Sequence, residues 1–147
     1  MDYAAQLVQK QRLAENLLGR FAPVEPIRGM AEPWHYRNKV ISTFAADRRG
    51  RLCSGIYAAG SHRVLPVESC LLEDATLDTV VDCVRAAARS CRYEPFDEDR
   101  GTGMVRHVLC RRGFATGEVL VALVTAEAVL PGAQNFVRAL RAEAERR

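Results

Sequence analysis

Residues 34–39 read WHYRNK. Trp34, His35, Tyr36, Arg37, Asn38 and Lys39 place aromatic rings, a base, an amide and two cations side by side, just after Pro33. Aromatic and guanidinium planes stack on flat rings, an amide pairs with hydrogen-bonding edges, and cations hold anions. Two further basic groups follow: Ser61-His62-Arg63 after Gly60, and Arg106, His107, Arg111 and Arg112 within "VRHVLCRRG". Self-contained catalytic motifs do not accompany them. No glycine-rich phosphate loop follows a strand, no H-E-x-x-H occurs, and no serine sits in a nucleophile elbow. His35, His62 and His107 lie far apart in sequence.

The five cysteines, Cys53, Cys70, Cys83, Cys91 and Cys110, are odd in number and form no C-x-x-C pair. This reads as free thiols in a reducing, cytoplasmic compartment rather than a disulfide framework. The spacings alone suggest no complete metal site. Cys53 and Cys110 fall in strand-like runs and are expected as core thiols, and Cys83 and Cys91 as residues of a helix and its end.

The elements that must position these residues follow from periodicity. With 147 residues, 48% hydrophobic and 27% charged, the chain can bury a core of its own. Its net charge of +3, from 21 basic and 18 acidic residues, permits a polyanionic partner without requiring one. No apolar run is long enough to span a membrane, and no signal peptide is seen. The start, residues 2–20, is an amphipathic helix with Leu7, Leu13, Leu17 and Leu18 near one face. The prolines of "FAPVEPIRG" make a linker. "NKVISTFAA" and "LCSGIYAA" form a hairpin about Gly50, and a short strand lies within "GSHRVLPVESC". The clearest helix is "LEDATLDTVVDCVRAAARS". Asp74 or Thr76 is its N-cap, and Leu77, Val80, Val81 and Val84 are its buried face. A polar loop, "YEPFDEDRGTG", leads to a second hairpin. In its first strand, alternation puts Val105, His107, Leu109 and Arg111 on one face, and Arg106, Val108 and Cys110 on the other. "NFVRALRAEAERR" is a final charged helix. The expected fold is α+β: an antiparallel sheet of two hairpins plus a short strand, packed with about three helices.

Three segments in order carry a family resemblance: "PWHYRNKV", "GIYAAGSHRVLPVESCLL" and "MVRHVLCRRGFATGEVLVALVT". Together they resemble the central domain of the RNA uracil-C5 methyltransferases, which make 5-methyluridine in 23S rRNA and tRNA. "YAAQLVQKQRLAENLL" is similar to the segment that follows the cysteine-rich motif of that family. The resemblance covers nearly the whole chain. It implies a single fragment with an N-terminal helix at 1–21, a central RNA-facing domain at 22–130, and a C-terminal helix or linker at 131–147. It also implies flanking parts that this chain lacks. One is an iron–sulfur cysteine stretch, preceded in many members by an RNA-binding β-barrel. The other is a Rossmann-like domain that binds S-adenosylmethionine and supplies the catalytic cysteine and base. In the family's chemistry a cysteine thiolate adds to C6, C5 takes the methyl group, and a base removes the C5 proton. No residue of this chain is therefore expected to be catalytic.

What the resemblance implies for single residues is specific. Cys70 matches the fourth ligand of the 4Fe–4S cluster in cluster-bearing members, in a full-length parent only; the isolated chain is expected to hold neither cluster nor S-adenosylmethionine. Tyr36, Arg37, Asn38 and Lys39 become an RNA-facing edge, since unpaired RNA is bound by stacking and by cations on phosphate. Strand alternation allows one pair of the four to meet RNA, and Arg37 and Lys39 are the expected pair. Trp34 anchors the linker or stacks on a base. Ser61, His62, Arg63 and Arg106 are further candidate RNA contacts, and Arg111 and Arg112 read as a hairpin tip. The partner is an rRNA or tRNA hairpin, with no membrane. The alternative reading is a free-standing RNA-binding or adaptor module that performs no methyl transfer.

Overall fold

Asp2 opens the first helix, α1 (Tyr3–Leu18), by accepting the Ala5 N–H at 2.7 Å. The computed structural model describes residues 2–147, which fall into two units divided between Trp34 and His35. In the first unit the segment after α1 folds back along the helix. Gln11 Oε1 accepts the Ile27 N–H at 2.7 Å, and Tyr3 Oη accepts the Met30 N–H at 2.7 Å. A Cβ at Gly29 would stand 2.7 Å from Leu7 Cδ1, so a larger residue here would require the Leu7 side chain to shift. The expected apolar face of α1 is split as a result. Leu7 is half-buried, whereas Leu13, Leu17 and Leu18 remain exposed.

The second unit is an α+β fold. Strands β1 (Lys39–Ala46), β2 (Leu52–Tyr57), β3 (Val64–Pro66), β4 (Val105–Arg112) and β5 (Val119–Thr125) form one antiparallel sheet in the order β3-β2-β1-β4-β5. Helices α2 (Ala75–Ser90) and α3 (Ala133–Glu145) pack against each other, and α2 also packs on the sheet. The sheet with two hairpins, a short strand and three helices in the chain matches the sequence pattern.

Asp74, rather than Thr76, caps α2; its carboxylate accepts the Thr76 N–H at 2.9 Å. Leu77, Val81 and Val84 are buried as the heptad-like spacing predicts, joined by Cys83, Ala87 and Ala88, while Val80 is half-buried. Facing them from the sheet are Val40, Phe44, Leu52, Val105, Val108 and Cys110, with Phe136 from α3. Each such apolar side chain is worth about 1.5–3 kcal/mol when fully buried.

Val105 corrects the simple alternation. It lies in the core with Val108 and Cys110 rather than on the face of His107, Leu109 and Arg111. Val105 pairs with Thr125 and His107 with Val124, so one extra residue, Arg106, is inserted on β4. A bulge of this kind moves the strand's pattern by one residue and leaves the extra residue without a partner.

The face of β1 and β4 turned away from α2 carries Lys39, Ile41 and Thr43 opposite Arg111, Leu109 and His107. Ile41, Leu120 and Val124 on this side are exposed.

Candidate nucleic-acid interface

The row at 34–39 straddles the division between the units. Trp34 closes the first unit and is half exposed. His35 opens the second with a φ of 51°, a left-handed conformation that costs a non-glycine residue free energy and must be held by its surroundings. It is held twice. Its N–H donates to Leu71 O at 2.8 Å, and its Nδ1 lies 2.7 Å from Glu73 O. A carbonyl can only accept, so Nδ1 carries the proton. The Arg37 N–H donates to Leu72 O at 2.9 Å, and the Asp74 N–H to Arg37 O at 3.0 Å. Residues 35–37 are thus laced along 71–74, the entry to α2.

Tyr36, Arg37 and Lys39 are exposed on this frame; Asn38 is half-buried. The Asn38 amide donates to Arg112 O at 3.1 Å, and the Arg112 N–H returns a bond to Asn38 O at 2.9 Å. Its donor therefore joins the start of β1 to the end of β4. Arg112 Nη1 in turn pairs with Asp74 Oδ2 at 2.8 Å. Burial opposes ionisation of Asp74, but the Arg112 guanidinium and the Thr76 amide outweigh it and hold the carboxyl below its usual range. Its neighbour Glu73 goes the other way: burial, then the Asp78 carboxylate, push it up against the pull of Arg37. Among the described residues, Arg37, Lys39 and Arg111 make no ion pair. Lys39 and Arg111 face each other in register, two cations with no carboxylate between them.

The other predicted contacts gather around Tyr57. The Ser61 hydroxyl donates to Ala58 O at 3.1 Å and accepts the Arg63 N–H at 3.3 Å, so it is used in shaping its own turn. His62 Nδ1 lies 3.1 Å from Asp99 Oδ1, and its ring centroid is 6.1 Å from that of Tyr57. Arg63 is exposed. Arg106 pairs with Glu98 at 2.7 Å, and its guanidinium lies 4.3 Å from the Phe96 ring centroid. Its charge is answered and one of its planes is covered.

The bulge leaves Arg106 beside His107, which stands edge-on to Tyr57 at 6.4 Å and within 3.1 Å of Thr43 Oγ1. Burial, then the Arg106 charge, lower the His107 pKa and favour the neutral ring. Tyr57 is raised by burial and by Glu98. Tyr57, His62, Arg63, Phe96, Glu98 and Asp99 line part of a cleft of about 530 Å³. Sequence reasoning did not single out Tyr57 or Phe96. Nor did it join the arginines of the β1–β2 turn to Arg89 and Arg92; "DRRGR" was the available signal for that group.

Three of the five thiols are poor nucleophiles. Burial pushes Cys110 up to about 12, and burial also raises Cys53 and Cys83. Cys70 is half-buried, its N–H donating to Asp78 Oδ2 at 3.1 Å. Among the described residues no group of three or more His, Cys, Asp and Glu side chains is placed to hold a metal. A 4Fe–4S cluster needs four thiolates, and with Cys83 and Cys110 buried elsewhere in the core the residues here do not fit one by themselves.

Comparison with known proteins defines the class. No protein-family model matches the chain. An uncharacterized RNA methyltransferase of Halalkalibacterium halodurans is 35% identical over 142 residues, covering 93% of this chain and 31% of the relative. One of Enterococcus faecalis is 37% identical over 131 residues, covering 85% of this chain and 28% of the relative. The chain thus spans about a third of the length of these curated relatives. It is homologous to that portion of proteins named RNA methyltransferases, as its motifs predict. Among solved structures, the tRNA (uracil-54, C5)-methyltransferase of Pyrococcus abyssi in complex with S-adenosyl-L-homocysteine matches with a TM-score of 0.76. The identity is 20%, covering 92% of this chain and 32% of that one, a likeness of fold.

Proposed function

We propose that this chain is the RNA-positioning part of an S-adenosylmethionine-dependent RNA uracil-C5 methyltransferase, acting on a folded segment of rRNA or tRNA in the cytoplasm. The observation that carries the reading is the set of unpaired cations Arg37, Lys39 and Arg111 beside exposed Tyr36, at one end of a rigid sheet. Unpaired cations are free to displace counterions from phosphate, and an exposed ring can stack on an unstacked base. Their occurrence in a chain homologous to RNA methyltransferases selects RNA among polyanions.

The chain's own residues bind and orient. Methyl transfer belongs to S-adenosylmethionine and to a nucleophile and base in the portion of the relatives that lies outside the match. The raised Cys53, Cys83 and Cys110 support this division, since thiols held protonated cannot add to C6 of uracil. Cys70 is retained as a cluster ligand only for a longer parent.

The test is fluorescence-anisotropy titration of this chain with a labelled uridine-containing RNA hairpin at several salt concentrations. Salt-sensitive binding is expected. Arg37→Ala with Lys39→Ala should lower the slope of log K against log salt by at most two counterions' worth, about 1.4–1.8. An unchanged slope removes these two side chains from the RNA surface.

A further inference from the structure

A second basic surface lies at the opposite end of β1. The β1–β2 turn carries Arg48, Arg49 and Arg51 about Gly50, whose φ is 72° and whose missing Cβ would meet nothing within 4 Å. Asp47 organises this turn. One carboxylate oxygen accepts the N–H groups of Arg49 and Arg51 at 2.8 and 2.9 Å, and the other receives the Arg51 side chain at 3.0 Å. Asp47 is thus occupied, and Arg48 and Arg49 make no ion pair among the described residues.

Beside the turn, the end of α2 supplies Arg89 and Arg92. Arg51, Arg89, Arg92 and Tyr93 line a groove of about 430 Å³ together with Gly50 and Glu94. Arg89 spends Nε on Leu52 O at 2.8 Å, which fixes the stem. Five arginines therefore stand against two carboxylates, Asp47 and Glu94, a surplus of three that equals the net charge of the entire chain.

The bland reading is a solvated turn next to basic residues that answer a helix dipole. Arg92 argues against it. Tyr93 N–H bonds back to Ala88 O at 3.0 Å, and Arg92 between them has a φ of 56°. That is the left-handed position at which helices ordinarily place glycine. The dipole rewards a cation anywhere in the last turn; it gives no reason to seat one in a strained conformation. The Arg92 N–H also bonds to Arg89 O at 3.0 Å, so the helix-end turn holds this conformation and sets an exposed guanidinium at the groove.

We infer that the groove lined by Arg51, Arg89 and Arg92, with Arg48 and Arg49 on the same turn as Arg51, is a second seat for RNA phosphates, distinct from the row at 36–39. The inference rests on the RNA-positioning reading. Seven residue steps separate Lys39 from Ala46 at the other end of β1, roughly 24 Å at about 3.4 Å each. A mononucleotide cannot reach both ends; a folded RNA can. The groove adjoins the cleft that holds His62 and Arg63 through Gly50, Glu94 and Pro95; Glu94, Asp97, Glu98 and Asp99 line that cleft, so the phosphate seat stops at the shared rim.

The experiment is the same anisotropy titration with the labelled hairpin, across salt, on five proteins, the unmodified chain and four variants. Arg48→Ala with Arg49→Ala should lower the salt slope by about 1.4–1.8, and Arg48→Lys with Arg49→Lys should leave it unchanged. Arg92→Gly should raise Tm, by relieving the strain, and lower the slope by about 0.7–0.9. That pair of opposite effects is one that a merely structural Arg92 would not give. A slope that stays at the wild-type value in both alanine and glycine variants, while Arg37→Ala with Lys39→Ala lowers it, overturns this inference and leaves the RNA reading standing. No salt-dependent binding by the unmodified chain overturns both.

Discussion

The two faces of β1 are built from alternate residues of one short segment and differ in what they do. Val40, Ser42 and Phe44 turn toward α2 and are buried; Lys39 and Ile41 turn away and are exposed. The covered face makes its contacts within the chain. The open face and the two strand ends carry charges, Lys39 and Arg111 at one end and Arg48 and Arg49 at the other, that make no ion pair among the described residues. A strand's period of two lets one stretch of sequence serve stability and binding without conflict, so substitutions on the two sides should separate cleanly.

The largest expected effect is on the covered face. Phe44 is 1% exposed, and Phe44→Ala should cost about 3–5 kcal/mol in chemical denaturation. Ile41→Thr on the open face, which keeps a β-branched side chain, should stay within about 0.5 kcal/mol. Equal losses would erase the distinction between the faces.

Asp74 tests the frame that joins the row to α2. Asp74→Ala removes the cap on Thr76, worth about 0.5–2 kcal/mol by itself, and leaves Arg112 without its carboxylate. Because the folded pKa of Asp74 lies below the ordinary 3.8, its contribution is complete above that value and is lost as the pH falls through the lower, folded value. Asp74→Asn should therefore flatten the acid limb of the stability–pH curve. A limb that keeps its shape places the acid sensitivity in other carboxylates.

Arg37→Ala with Lys39→Ala sharpens the comparison from the binding side. Unfolding should shift by no more than about 0.5 kcal/mol, while RNA affinity loses salt dependence. A large loss of stability would make these cations part of the frame. The smallest effect belongs to Glu73, whose pKa is raised. Its stabilising contribution is present below the ordinary 4.5 and is lost as the pH rises through the higher, folded value. Glu73→Gln should give a slight gain in stability at neutral pH, opposite in sign to Asp74→Asn. A loss would show that the carboxylate itself supports the 35–37 segment.

Much of this was legible from local sequence. The hairpins, α2 with its Leu77–Val81–Val84 stripe, the exposed Arg37 and Lys39, and the likeness to RNA methyltransferases all follow from spacing and motif, because periodicity and turn chemistry act over a few residues. Other features depend on partners distant in sequence. Asn38 has the same neighbours on paper as Arg37 and Lys39, yet its amide is taken by a carbonyl 74 residues away. Val105 obeys alternation until β5 is set against β4 and the register moves by one residue. Arg51 reads as part of an ordinary basic turn until the fold lays Arg89 and Arg92, some forty residues on, along the same groove. The sequence by itself determined which elements form and which residues are charged, since those are local properties. Only the tertiary structure decided which charges are answered and which are left over, since that depends on what packing brings within reach.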